Sequence, residues 1–124
     1  MTRMLVGLHH VLIDAPPGCE EEARAFYGGL LGLPEIPKPA GLRERGGVWF
    51  RCGGQEVHVG VEEDFRPARK AHPAFLVTDL DRLRELLIRS GVEVAEDVPL
   101  PGYRRLHARD PFGNRLEFLQ PCPS

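Results

Sequence analysis

Two stretches of this chain place a strong metal-ligand side chain four residues after a turn glycine: Gly54 to His58, and Gly113 to Glu117. A histidine opens an apolar run ahead of each. His10 precedes Val11-Leu12-Ile13, and His72 precedes Pro73-Ala74-Phe75-Leu76-Val77. The separations are similar, 44 residues from His10 to Gly54 and 41 from His72 to Gly113. A pattern that recurs in this way reads as a duplicated module. His10, His58, His72 and Glu117 then stand at four corresponding positions, as candidate ligands. Imidazoles and a carboxylate suit a borderline divalent ion, with Mn, Fe, Co, Ni and Zn all compatible. An ion with an open position would polarise a substrate oxygen and take up charge that develops on it.

The elements that must carry these residues follow from the hydrophobic pattern. Leu5 to Ile13 reads as a strand, stopped by Asp14-Ala15-Pro16-Pro17-Gly18. Glu20, Glu21 and Glu22 suit the positive end of a helix, and Ala23, Phe26, Tyr27 and Leu30 give it an apolar stripe that ends at Gly32 and Pro34. Pro34 to Gly47 reads as a loop. Val48 to Cys52 and Val57 to Val61 form a hairpin across Gly53-Gly54. After a polar linker, Glu62 to Lys70, the order recurs. Ala74 to Val77 is a strand, and Thr78 or Asp79 caps a helix with Leu80, Leu83, Leu86 and Leu87, closed by Gly91. Val92 to Ala95, Tyr103 to Arg109 and Arg115 to Leu119 complete the set. Each module, residues 5–61 and 72–119, thus reads strand, helix, three strands. The expected class is α+β: two βαβββ modules in one domain, residues 1–124, whose mixed sheets form a cup-like open barrel with helices outside.

Side chains two apart share a strand face. Val11, Ile13, Val57, Val59, Val61, Phe75, Val77, Leu116 and Phe118 therefore belong to one apolar face, and the candidate ligands to the other. On the same parity His9 points away from His10 and reads as structural. Arg105 and His107 share a face of the penultimate strand. There Arg105 could hold an anionic group and His107 could bond substrate. Trp49 and Arg51 share a face of the third strand and could line a ligand cavity. His58 could instead contact substrate or pair with Glu117.

Formal charge is −2 over 124 residues, with basic residues scattered. This excludes the usual footprint for nucleic acid or an anionic membrane. No apolar stretch is long enough to span a bilayer, and no secretory leader is expected. Cys19, Cys52 and Cys122 form neither a disulfide framework nor a CxxC motif, which suits a reducing cytoplasm.

The segment Asp110-Pro111-Phe112-Gly113-Asn114-Arg115-Leu116-Glu117 resembles the closing hairpin of the vicinal oxygen chelate superfamily, which includes glyoxalases, bleomycin-resistance proteins and extradiol dioxygenases. Leu8-His9-His10-Val11 resembles the family's opening strand, and Lys70-Ala71-His72-Pro73-Ala74-Phe75 the start of its second module. The resemblance covers nearly the whole chain. It implies a two-histidine, one-glutamate triad of His10, His72 and Glu117, with Glu117 also able to act as a base. His58 falls where related glyoxalases and epimerases often place Glu or Gln, a departure that speaks against glyoxalase I activity. A polar residue at the His107 position contacts substrate in some antibiotic-modifying members. The resemblance further implies a homodimer and a small oxygen-rich substrate, handled by lyase, isomerase or oxygenase chemistry. The alternative is a drug- or metabolite-binding resistance protein without catalysis, since the fold alone does not fix function.

Overall fold

The computed structural model describes residues 3–123. The chain divides into two units, Met1–Phe65 and Arg66–Ser124, with the boundary inside the polar linker. Each unit contains one four-stranded mixed sheet, and the two sheets have the same strand order.

In the first unit β1 (His10–Ala15) lies parallel to β4 (Gln55–Val61), which pairs antiparallel with β3 (Val48–Cys52) and through it with β2 (Glu35–Ile36). Ile13, Ala15, Val48, Phe50, Val57 and Val59 are buried, together with Ala23, Phe26 and Tyr27 of the helical segment. The Tyr27 and Phe50 rings meet at 5.9 Å. Burying each of the valine, isoleucine and phenylalanine side chains contributes about 1.5–3 kcal/mol.

The helical stripe is where expected, but its geometry is not α throughout. Only α1 (Glu20–Ala23) is α-helical, and Arg24–Leu30 continues as a π-helix. Leu31 N–H reaches back five residues to Phe26 O at 2.9 Å. Gly28 and Gly29 have no β-carbon to resist the widened turn, and a Cβ at Gly28 would stand 3.4 Å from Phe50. The expected loop, Pro34 to Gly47, also contains regular structure: β2 and a short 3₁₀ turn, Ala40–Arg45.

In the second unit β5 (Ala74–Leu76) lies parallel to β8 (Arg115–Pro121), which pairs with β7 (Tyr103–Arg109) and through it with β6 (Val94–Glu96). The helix α2 (Leu80–Arg89) starts at Asp79, whose carboxylate accepts from Arg82 N–H at 3.1 Å. Leu80 and Leu87 are buried, as are Leu106, Ala108, Leu116 and Phe118 of the sheet. The register makes the units correspond residue by residue. His58 opposes Trp49 and Leu12, as Glu117 opposes His107 and Ala74. His10 and His72 each stand two residues before the last of these.

Candidate metal centre

The second unit gathers its polar residues on the sheet face opposite the buried apolar set. Across that face run Ala95, His107, Glu117 and Ala74 in register. His72, just ahead of β5, reaches Glu117 from the side, with Nε2 2.8 Å from Oε1. His107 Nε2 stands 3.5 Å from the same oxygen. These three are the group whose donor atoms all lie within 4.8 Å of one another among the described residues. In a tetrahedral zinc site donors sit roughly 3.4 Å apart, given bonds of about 2.0–2.2 Å. The His107–Glu117 spacing matches that value, and His72 and Glu117 would part by about half an ångström to admit an ion.

His72 is held in a telling way. Its Nδ1 lies 2.7 Å from the Lys70 carbonyl, so that nitrogen donates. Its Nε2 also faces an acceptor, the Glu117 carboxylate. Both contacts are attractive only if Nε2 carries a proton or binds a cation. A carbonyl that fixes the outer nitrogen and aims the inner lone pair is the usual support for a metal-ligating histidine.

Glu117 is buried, and burial pushes its carboxyl pKa up. Hydrogen bonds from His72 and Arg105 outweigh that, and the net direction is down. Arg105 holds the other oxygen, with a guanidinium nitrogen 3.2 Å from Oε2, while its Nε donates to the Val98 carbonyl at 2.7 Å. Arg105 also pairs with Asp97 at 3.4 Å. Its donors therefore serve protein groups, and it orients Glu117. His107 is also buried. Burial first, and then the Arg115 guanidinium, lower its pKa. Arg115 donates to His107 Nε2 at 3.2 Å. A cleft of about 630 Å³ opens beside His107, lined also by Ala95, Asp97, Arg109 and Arg115.

The first unit carries a second polar group. The ring of His58 stacks between Trp49 (3.8 Å) and His10 (4.0 Å), forming a ladder across three strands. Its carboxylate partner within the unit is Glu56, with Nε2 2.9 Å from Oε1. The bond from His58 keeps the Glu56 carboxyl below its usual range. Arg51 reaches the other Glu56 oxygen at 3.8 Å. The expectation for His9 is corrected. It precedes β1, where strand alternation does not yet apply, and its Nδ1 lies 3.0 Å from His10 Nδ1. His10 has a lowered pKa, from desolvation first and then from the neighbouring His58 and His9.

Sequence reasoning therefore found His72 with Glu117, and His10 with His58, but it did not anticipate four partners: Glu56, the Lys70 carbonyl, Arg115, and His107 as a donor beside Glu117. Glu56 shares a strand face with His58, so parity alone could have found it. The Lys70 and Arg115 contacts depend on loop path and side-chain reach.

Residues 7–118 match the Glyoxalase/Bleomycin resistance protein/Dioxygenase superfamily. The chain belongs to this superfamily. A Bacillus anthracis protein described as of the glyoxalase family is 52% identical, with a TM-score of 0.94 over 98% of this chain and 100% of that one. A glyoxalase/dioxygenase from Nostoc punctiforme shares the fold at 22% identity and a TM-score of 0.78, covering 99% of each chain. So does the fosfomycin resistance protein FosX from Listeria monocytogenes, at 19% identity and a TM-score of 0.76, covering 96% of each. No curated protein matches the chain. Among the described residues no helix is long and apolar enough to cross a membrane.

Proposed function

We propose that this superfamily member is a metal-dependent enzyme acting on a small oxygen-rich substrate. The observation that carries the reading is His72, half-buried against the buried Glu117 with both ring nitrogens facing acceptors. His72 and Glu117 would hold the ion. His10 and His58, their counterparts in the sequence repeat, are proposed as the remaining ligands, with His107 as an alternative donor or a substrate contact. A divalent ion, of the Zn, Ni, Mn, Fe or Co class, would supply Lewis acidity toward substrate oxygens when bound. The protein groups supply the rest. Glu117 Oε1 is the base able to accept a substrate proton, and Arg105 on Oε2 keeps the carboxylate ionised and aimed. Trp49 and Arg51 are proposed to line the substrate path. Lyase, isomerase and oxygenase chemistry all fit these groups.

A second reading, a small-molecule binding protein without catalysis, draws on one observation. Arg105 already neutralises Glu117, so the carboxylate is satisfied without an ion. Metal analysis of purified protein separates the two. The enzyme reading expects about one divalent ion per chain, with Glu117→Gln weakening binding at least tenfold. No stoichiometric ion in wild type, after loading with each candidate metal, favours the binder. We further propose that the chain forms a cytoplasmic homodimer.

A further inference from the structure

We propose that Glu56 is a positioning residue for His58: it holds the imidazole in the Nε2–H tautomer and so leaves Nδ1 as the atom offered to a metal ion. Glu56 and His58 stand two apart on β4 and share a strand face. As a statement about a metal ligand this rests on the metal-centre reading, but the tautomer can be tested without a metal.

The ring of His58 has little freedom. One face lies on Trp49, with centroids 3.8 Å apart and planes within 1° of parallel. The other lies on His10, at 4.0 Å and 18°. With both faces covered, only the ring edge remains for polar contacts. On that edge Nε2 lies 2.9 Å from Glu56 Oε1. An ionised carboxylate only accepts, so the proton of this bond belongs to Nε2. A neutral imidazole carries one N–H, and Nδ1 is left with its lone pair. Among the described residues Nδ1 makes no hydrogen bond. It is not sealed off either, since every fully enclosed side-chain nitrogen or oxygen among those residues has a partner.

Glu56 is itself held. It stands directly opposite Arg51 on β3, whose guanidinium reaches the second carboxylate oxygen at 3.8 Å. Opposite charges facing each other across a strand pair are favourable. A carboxylate behind an imidazole fixes which nitrogen can act as donor and raises its basicity, which is the common support of a metal-bound histidine. His72 is fixed the other way round, with Nδ1 spent on the Lys70 carbonyl and Nε2 facing Glu117. The two units thus present opposite ring nitrogens, and His58 has a signature of its own.

The test uses full-length protein with isotope-labelled histidine, stripped with EDTA and held at about pH 8, where an ordinary imidazole is neutral. Nitrogen-correlated NMR reads which ring nitrogen of His58 bears the proton. The expected result is Nε2–H in wild type and a mixture of both tautomers in Glu56→Ala. Added zinc should move the His58 Nδ1 resonance and leave Nε2–H in place. Glu56→Ala should weaken zinc binding roughly tenfold, the smaller end of the loss that follows removal of such a carboxylate. Glu56→Gln is the second variant, should the first fail to fold. Its amide can donate as well as accept, so it too should mix the tautomers. Glu85→Gln, at an exposed helix residue paired with Arg89, should change neither readout. His58 protonated at Nδ1 in wild type, or still at Nε2 alone in both Glu56 variants, would overturn the proposal. So would zinc held by both variants as tightly as by wild type. A wild type that keeps the Nε2–H tautomer through Glu56 but takes up none of the candidate divalent ions would retire the metal reading and leave the positioning of His58 standing.

Discussion

Glu20 and Glu117 are both acids kept charged, by different means. Glu117 must overcome its own burial with bonds from His72 and Arg105. Glu20 accepts the Gly47 backbone N–H at 2.6 Å, and that bond, more than any charge, lowers its pKa. A depressed folded pKa stabilises the protein above the acid's ordinary value, and that stability is lost as pH falls through the depressed one. Glu20→Gln should therefore cost roughly 1 kcal/mol near neutral pH. The gap from wild type should close as pH drops from about 5 toward 3. Urea midpoints across that range check it, and a gap that widens in acid would reverse the sign of the argument. At this scale the sequence revealed the ligand-type residues, because spacing from a turn glycine survives in one dimension. It concealed the Lys70 carbonyl, since a backbone acceptor has no residue-type signature, and Arg115, which looks in sequence like any exposed strand arginine.

At the element scale, all four strands of the second unit and three of the four in the first were legible from hydrophobic alternation and turn residues, down to the bounds Tyr103 to Arg109. The π-helix was not, because its apolar spacing differs little from that of an α-helix over two turns. β2 was also hidden, since Glu35–Ile36 lies among prolines and has too few residues to alternate. Two glycines in the first unit have opposite tolerances. Gly47 has φ +89°, and a Cβ there would stand 2.1 Å from the Val59 carbonyl oxygen. Gly53, with φ +60°, turns the β3–β4 hairpin with nothing within 4 Å. Gly47→Ala should cost about 3 kcal/mol or more, combining backbone strain and a clash the sheet cannot relieve. Gly53→Asn should cost under about 1 kcal/mol, because asparagine tolerates the left-handed region. Equal denaturation midpoints for the two variants would contradict this assignment.

At the scale of the whole molecule, Met4, Leu5, Val6 and Leu8 stand out. They are 91%, 90%, 96% and 72% exposed, and they lead directly into β1. A run of apolar side chains without cover is a common mark of an association surface. Light scattering at micromolar concentration should report a pair of chains, and Leu5→Ser with Val6→Ser should shift it toward the monomer. A wild-type monomer would remove the basis for the dimer. The duplicated plan was legible because both copies keep the same order of elements. What diverged between them is the polar neighbour two residues before each key side chain: Glu56 before His58, Arg115 before Glu117. In the first copy that neighbour pairs with the imidazole, whereas in the second it turns to His107 and the carboxylate takes its cation from Arg105 on β7.

The turn between β7 and β8 closes on itself. Asp110 Oδ1 accepts the N–H groups of Phe112 at 2.9 Å and Asn114 at 2.8 Å, and the Asn114 side chain donates to Oδ2 at 2.8 Å. This loop sets which residue of β8 meets His107. An insertion of one residue there would turn Glu117 into the apolar layer and bring Leu116 and Phe118 out in its place. The turn can therefore drift in composition far more freely than in length. Descendants of this chain that retain the site should vary here by substitution, or by indels of two.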